Sequence, residues 1–171
     1  MNKTTQRKNR NRRRSNRSQS FREPKKIRKI NKISDHFSRK DFTCSCNECK
    51  QTIKLGLGLV GGLELLRSTL KARINIIKGY ECPAAAEKQG KVKRNFHTQG
   101  LAADIQVEGK TIQEVFLAAE TIPDFNGLGL NVTENYVHVD ARKAPEKTLW
   151  VEENDDIIPL ENTNRATYFP S

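Results

Sequence analysis

Two histidines and one aspartate stand at spacings that suit a zinc site. His97 and Asp104 belong to the stretch FHTQGLAADI (96–105), and His138 follows in YVHVD (136–140), in a chain that has only three histidines. Structural zinc sites are closed by four protein ligands, whereas catalytic sites use three and keep one position for water. Such a metal polarises a carbonyl and lowers the pKa of its bound water to ~7, which favours peptide or amide hydrolysis.

The local pattern places these residues on a turn and on two strands. Gly100 allows the chain to turn after the first histidine and enter a strand predicted over residues 102–107, which carries the aspartate. A second strand, predicted over 136–141, carries His138 and Asp140 on one face, because residues two apart share a face of a strand. Asp140 is therefore placed to orient the imidazole or to hold a substrate amine.

The remaining elements follow from capping residues and from apolar periodicity. A short helix or turn over 34–42 would hold Phe37 and Phe42 against the domain, an amphipathic helix is predicted over 62–72, a strand over 74–77, and a helix from the Thr111/Glu114 capping box to Glu120. Residues 126–130 are read as a connection to a turn at 131–135. Beyond Lys143 the chain is polar and acidic, and no regular structure is predicted there.

The net charge of +11 is concentrated at the N-terminus. Residues 1–33 hold fourteen Lys and Arg against Glu23 alone, a net of +13, which leaves the rest of the chain at −2. This composition predicts a disordered basic arm that binds a polyanion, such as nucleic acid, anionic lipid or a wall polymer. The domain would then span 34–150 and a polar acidic tail 151–171.

The arm contains no apolar run that would make a signal peptide or a membrane helix. We therefore expect a protein that stays in the cytoplasm until release, for example by host lysis, or one that acts at the bacterial cell wall. A phage-type lysin and a virion-associated protein both fit this expectation. The protein is expected to be a monomer.

The two histidine motifs resemble those of the zinc D-alanyl-D-alanine carboxypeptidase and murein endopeptidase family, whose fold is shared with the Hedgehog signalling domain. That family carries His-x-x-Gly-x-Ala-x-Asp-Ile followed by Val-His-Val-Asp, which match residues 97–105 and 137–140. The likeness extends over about residues 34–150 and includes GYECP (79–83) and GLGL (127–130). The resemblance implies a single α+β domain, with a small antiparallel sheet and flanking helices. It also implies a catalytic zinc held by His97, Asp104 and His138, and peptidoglycan stem peptides with D-amino acids as the substrate.

The chain departs from the family pattern at two places. Glu81 stands where the family commonly has an arginine that holds the substrate's terminal carboxylate, so we expect Glu81 to receive a cationic stem-peptide amine or to face solvent. No acid stands three residues before His138, which leaves Glu134 and Asp140 as candidates for the general base. Substrate contacts are assigned to Asn95, Glu81 and Tyr136.

Two further patterns carry weaker signals. Cys44, Cys46, Cys49 and Cys82 could bind a second, structural zinc, form two disulfides or remain reduced. Gly56-x-Gly58-x-x-Gly61 matches a dinucleotide-binding pattern, but no buried strand precedes it, so a flexible glycine-rich loop over the site is expected instead.

The function predicted from the sequence is zinc-dependent hydrolysis of peptide bonds in peptidoglycan, as a carboxypeptidase or an endopeptidase. The alternative is a non-catalytic metal-binding module of the same fold that serves wall binding or virion assembly. A nucleic-acid binder would depend on the basic arm alone.

Overall fold

The computed structural model describes residues 31–46, 49 and 53–170. All but the last three residues of the basic arm predicted over 1–33 lie outside this range, so its disorder stays a prediction. Within the described part of the chain, none of the helices has the length and apolarity that a membrane crossing requires.

One six-stranded sheet organises the domain. Its strands are β1 (Ile74–Lys78), β2 (Ala102–Val107), β3 (Gly127–Asn131), β4 (Tyr136–Asp140), β5 (Thr148–Glu153) and β6 (Asp156–Pro159), in the spatial order β1-β2-β4-β3-β5-β6. All neighbouring pairs are antiparallel except β3 and β5, which are parallel. Together with the helices, this mostly antiparallel sheet confirms the predicted α+β class.

Four α-helices and one 3-10 helix complete the described domain. They are the 3-10 helix Arg39–Phe42, α1 (Leu57–Leu70), α2 (Pro83–Lys88), α3 (Ile112–Glu120) and α4 (Arg165–Tyr168). The capping box at the start of α3 is confirmed, because the Thr111 hydroxyl accepts from the Glu114 amide and the Glu114 carboxylate accepts from the Thr111 amide. A second capping box, between Ser38 and Asp41, begins the 3-10 helix.

The prediction of a flexible glycine-rich loop before residue 62 is wrong. Helix α1 begins at Leu57, so Gly58 and Gly61 are helical. Glycine is a poor helix former, and a packing contact compensates for it in this helix. A Cβ on Gly62 would lie 2.5 Å from the ring of Phe125, so the glycine lets α1 pack closely against that side chain.

The hydrophobic core lies between one face of the sheet and helices α1 and α3. Alternate residues of the central strands point into it, and all are fully buried: Ala103, Ile105, Leu128, Leu130, Val137 and Val139. Phe37 and Phe42 also join the core, as the sequence predicts. The alternation leaves the opposite face of the central strands free to carry polar side chains.

The prediction of no regular structure beyond Lys143 is wrong, because β5, β6 and α4 all lie there. Leu149 and Val151 pack on the core, while the acidic residues of this segment remain partly or fully exposed. The acidic composition obscured a two-residue alternation that is typical of a strand. Strand β3 (Gly127–Asn131) likewise lies where the sequence predicts a connection over 126–130 and the start of a turn at residue 131.

Candidate metal centre

The register of the sheet brings Asp104 and His138 side by side. Asp104 of β2 pairs with His138 of β4, so both side chains leave the same face of the sheet. His97 reaches them from the loop before β2. Gly100 ends that loop with φ +69°, and a Cβ there would lie 1.9 Å from the Lys54 carbonyl oxygen, so only glycine fits this turn.

The three side chains present one potential ligand atom each to a common point. His138 Nδ1 lies 2.7 Å from Asp104 Oδ1, and His97 Nε2 lies 3.3 Å from the same oxygen. The three ligand atoms all lie within 4.8 Å of one another. His97 and Asp104 are 9% and 6% exposed, so the cluster is largely shielded from solvent.

Hydrogen bonds to the other ring nitrogens fix how the imidazoles are turned. His97 Nδ1 lies 2.8 Å from the Gly79 carbonyl oxygen, which can only accept, so Nδ1 donates to it and Nε2 is turned towards Asp104. His138 Nε2 lies 3.3 Å from Asp140 Oδ2, which directs its Nδ1 towards Asp104. Partners of this kind orient the ligands of metal sites.

Asp140 is fully engaged by its neighbours. Its carboxylate is 0% exposed and accepts from the Arg142 backbone amide (3.0 Å) and from Arg142 Nε (2.8 Å), besides facing His138. Burial by itself would raise the pKa of Asp140, but the hydrogen bonds from Arg142 and His138 lower it to about 2. Asp140 is therefore a charged group with little capacity left to take up a proton.

The electrostatics of the cluster favour a cation at its centre. Burial disfavours a charged imidazole, but the Asp104 and Asp140 carboxylates outweigh it and raise the pKa of His138 to about 9. Burial likewise opposes the charge on Asp104, yet both imidazoles hold the pKa of that carboxyl well below its usual range. The same carboxylates would stabilise a divalent metal in place of the proton.

The donor set fits zinc. Two imidazole nitrogens and one carboxylate oxygen are ligands that zinc accepts, and three protein ligands are the number found in its catalytic sites. The set also has the outer carboxylate and backbone carbonyl partners that such sites need. His36, the third histidine, instead pairs with Glu64 at 2.7 Å and takes no part in the cluster.

Two of the residues expected to contact substrate, Glu81 and Asn95, lie near His97 and are buried or half-buried. Glu81 is 3% exposed, so the solvent-facing interpretation is wrong; its Oε1 pairs with Lys78 Nζ at 2.7 Å. Burial raises the pKa of Glu81, but Lys78 and then Lys91 lower it, to a net value below the ordinary one. Asn95 is half-buried, and its Oδ1 accepts from the Thr98 amide in the turn that carries His97.

Tyr136 is the first residue of strand β4, at the end away from Asp140, and Glu134 lies in the turn that precedes the strand. Tyr136 is two residues before His138 and shares its face of the sheet. Burial raises the pKa of Tyr136, and the charges of Asp104, Glu152 and Glu134 raise it further. Glu134 is exposed in the turn before β4, where its amide donates to Asn131 Oδ1.

A cavity of about 580 Å³ lies beside this end of the strand. Its lining is mostly polar and contains both glutamates that act on Tyr136. The lining residues are Lys91, Asn131, Thr133, Glu134, Tyr136, Glu152, Asn154, Asp155 and Ile157. Tyr136 therefore connects the metal-ligand cluster to an open space large enough to take part of a peptide.

Sequence reasoning missed three residues on the same face of the sheet: Arg142, Trp150 and Glu152. The Trp150 ring lies 5.3 Å from the His138 ring, and Glu152 accepts from Trp150 Nε1 at 2.8 Å and from Tyr136 at 3.3 Å. The Arg142 guanidinium lies over the Trp150 ring at 5.5 Å. The alternation of Trp150 and Glu152 with apolar neighbours was the signal that could have found strand β5.

Two glycines of β3 make room for these side chains. A Cβ on Gly129 would lie 2.6 Å from the Trp150 indole, and one on Gly127 would lie 2.1 Å from Asp140 Oδ2. Leu128 and Leu130, the residues that alternate with them, point into the core. The Gly-Leu-Gly-Leu sequence thus encodes a strand with one packed face and one face open to the site.

Comparison with known families gives a match that covers the whole cluster. The model of the family described as Peptidase M15 matches residues 35–140. A comparison with curated protein sequences returned no significant match. The matched stretch includes the three metal-ligand candidates and ends at Asp140.

Proposed function

Because the chain belongs to the peptidase M15 family, a family of zinc metallopeptidases, we propose that it hydrolyses peptide bonds in peptidoglycan stem peptides. The observation that carries the proposal is the convergence of His97 Nε2, Asp104 Oδ1 and His138 Nδ1 within 4.8 Å of one another on the open face of the sheet. In this proposal these three residues hold the catalytic zinc.

When bound, zinc would polarise the scissile carbonyl and lower the pKa of a coordinated water to ~7. The chain itself keeps the ligands in position. The Gly79 carbonyl holds the His97 ring, and Asp140 holds the His138 ring. Asp140 acts as a positioning residue, because its carboxylate is already neutralised by Arg142 and has no exposed surface.

Glu134 is the proposed general base. It is exposed, it lines the cavity beside the cluster, and its charge acts on Tyr136 together with that of Asp104. Glu152 lines the same cavity, but both of its carboxylate oxygens already accept hydrogen bonds, Oε1 from Trp150 and Oε2 from Asn131 and Tyr136, so it is less available to an attacking water. Glu134 would take the proton from the attacking water and pass it to the leaving amine.

Tyr136 is the proposed donor to the oxygen that develops negative charge during attack. Its hydroxyl, like that of an ordinary tyrosine, is protonated at neutral pH, and the raised pKa keeps it so. In this proposal the hydroxyl turns from Glu152, to which it donates at 3.3 Å, and donates to the substrate oxygen instead. Its position two residues before His138 places it next to the ligand cluster on the same strand. Donors of this kind typically contribute about 10²–10³ in kcat.

The surroundings of Glu81 support cleavage within the stem peptide rather than at its carboxyl terminus. Lys78 neutralises Glu81, so this position offers no surplus positive charge to a terminal carboxylate. The cavity at the other end of β4 carries Glu134, Glu152 and Asp155 against the single cation Lys91, and this excess of negative charge suits the amine of a diamino acid in the stem peptide. We therefore propose endopeptidase action.

Defined muropeptides test this function. Zinc-loaded protein should release a new amine and carboxyl terminus from a stem peptide, identified by mass spectrometry, and should act on cross-linked or internal bonds faster than on the terminal D-alanine. Protein with one bound zinc at the His97 cluster that releases nothing from any muropeptide would overturn the proposal. The chain would then be a non-catalytic module of this fold, used for wall binding or virion assembly.

The basic arm is proposed to hold the enzyme at a polyanion, such as a wall polymer, anionic lipid or nucleic acid. Residues 1–33 carry a net +13, whereas the rest of the chain carries −2. Deletion of the arm should abolish salt-sensitive binding to the polyanion and leave hydrolysis of soluble muropeptides unchanged. The protein is proposed to work at the bacterial cell wall, after release from the cytoplasm, as a monomer.

A further inference from the structure

Four cysteine side chains meet at a point that the hydrolytic site does not use. Cys44, Cys46 and Cys49 come from the segment after the 3-10 helix, and Cys82 comes from the turn before α2. Their sulfur atoms all lie within 4.8 Å of one another, and none of the four belongs to a disulfide. Cys44 and Cys82 are buried, and Cys46 and Cys49 are half-buried.

The sulfur spacing suits a shared metal ion. Cys46 Sγ and Cys82 Sγ are 3.6 Å apart, whereas a disulfide needs about 2.05 Å. Four sulfurs at about 2.3 Å from a zinc ion, arranged as a tetrahedron, would be about 3.8 Å from one another. The observed separation is therefore near the value for tetrahedral coordination and far from that for a covalent bond.

Backbone amides support the sulfurs from outside the cluster. The Cys82 amide donates to Cys44 Sγ at 3.3 Å, the Cys49 amide to Cys46 Sγ at 3.4 Å, and the Ala85 amide to Cys82 Sγ at 3.4 Å. Such donors stabilise sulfur in the charged state that binds a metal, and they hold each ligand in one orientation.

We propose that Cys44, Cys46, Cys49 and Cys82 bind a second zinc ion, with four protein ligands and a structural role. The ion would join two segments that are 33 residues apart or more in the sequence. One of them leads directly to the hydrolytic site, because Gly79, whose carbonyl holds the His97 ring, is three residues before Cys82. The second ion would therefore keep the first histidine ligand in place.

Metal content separates the two sites. Full-length protein purified from zinc-supplemented cells under reducing conditions should contain two zinc ions per chain. The variant His97→Ala/His138→Ala should retain one zinc ion, and Cys46→Ser/Cys49→Ser should lose the other. A wild-type protein that binds no more zinc than Cys46→Ser/Cys49→Ser in the presence of a competing chelator would overturn the proposal.

Cobalt substitution gives a readout that does not need the cysteine variant to fold. The chain has only four cysteines, so any thiolate signal comes from this cluster. Cobalt-loaded His97→Ala/His138→Ala should show strong thiolate-to-cobalt charge transfer and the visible bands of tetrahedral cobalt. Absence of these bands in a folded, fully reduced sample would also overturn the proposal, as would a thiol titration of denatured protein that finds the cysteines oxidised in pairs.

The two metal proposals can fail separately. If the cobalt spectrum appears but muropeptides remain intact, the cysteine site stands and the proposed hydrolysis falls. If muropeptides are cleaved by protein with one zinc ion and four freely reactive thiols, the hydrolytic site stands and the cysteine site falls.

Discussion

The histidine cluster and the cysteine cluster are both candidate metal sites, but the chain builds them in different ways. Asp104 and His138 sit on paired strands whose backbone hydrogen bonds hold them whether or not an ion is bound. The cysteines lie outside the strands, in the segment after the 3-10 helix and the turn before α2. The sheet thus holds the histidine cluster in position before a metal binds, whereas the loops of the cysteine cluster would depend on the ion to stay together.

The largest expected effect comes from removing a strand-borne ligand. His138→Ala should lose the zinc of the hydrolytic site and reduce muropeptide cleavage to background, because two ligands bind zinc too weakly to hold it. Zinc content and product release are measured in the same preparation. His36→Ala is the matched control, since His36 pairs with Glu64 elsewhere, and it should retain both zinc and activity.

The second largest effect, on kcat, should distinguish Glu134 from Glu152, the two glutamates that line the cavity. Glu134→Gln should lower kcat by about 10²–10⁴ with zinc content unchanged, because the proton acceptor is removed while the ligands remain. Glu152→Gln should lower kcat much less. Steady-state kinetics on one defined muropeptide measure both, and equal losses in the two variants would contradict the assignment of Glu134.

A smaller effect is expected at the residue that orients His138. Asp140→Asn should weaken zinc binding by about 10–100-fold, since an outer carboxylate that holds a ligand imidazole is replaced by a neutral amide. Competition with a chelator measures the affinity, and saturating zinc should restore most of kcat. A kcat that stays low at full zinc occupancy would instead make Asp140 a participant in proton transfer.

Metal removal tests the contrast between strands and loops with the fold intact. After chelation, backbone amides of β2 and β4 should keep their protection from hydrogen exchange, because the ladder between them is unchanged. Amides of residues 43–46 and 80–85 should exchange faster, because these segments lie outside the strand ladder and the proposed ion would be the strongest link between them. Equal loss of protection in both regions would show that the sheet also depends on metal.

The sequence predicted the strands that carry the ligands because those strands alternate clearly. Residues 102–107 were predicted with the bounds that β2 has, and His97, Asp104 and His138 were predicted to share a site, where the structure brings them together. Strand β3 was missed because glycine is rare in strands, and its Gly127 and Gly129 are explained only by side chains from other strands.

Contacts between residues far apart in the sequence explain two other wrong predictions, the acidic tail and the exposure of Glu81. The acidic content of 151–156 suggested a solvated tail, and only pairing with β3 reveals why this segment is a strand. The burial of Glu81 could not be foreseen either, because Glu81 packs beside residues more distant in the sequence: its amide donates to the His97 carbonyl at 3.4 Å, and the charge of Lys91 acts on its carboxylate. Periodicity identifies a strand's own faces, but not the neighbour that covers them.

The parallel strand β5 covers an edge of β3 that could otherwise pair with other copies of the chain. The family match ends at Asp140, and a chain cut near there would leave the backbone amides and carbonyls of β3 unpaired along one side. A bare edge of this kind recruits strands from other copies and seeds aggregation. The segment after Asp140 therefore helps to keep the protein soluble. A shortened protein that contains only residues 35–140 should be insoluble when it is expressed.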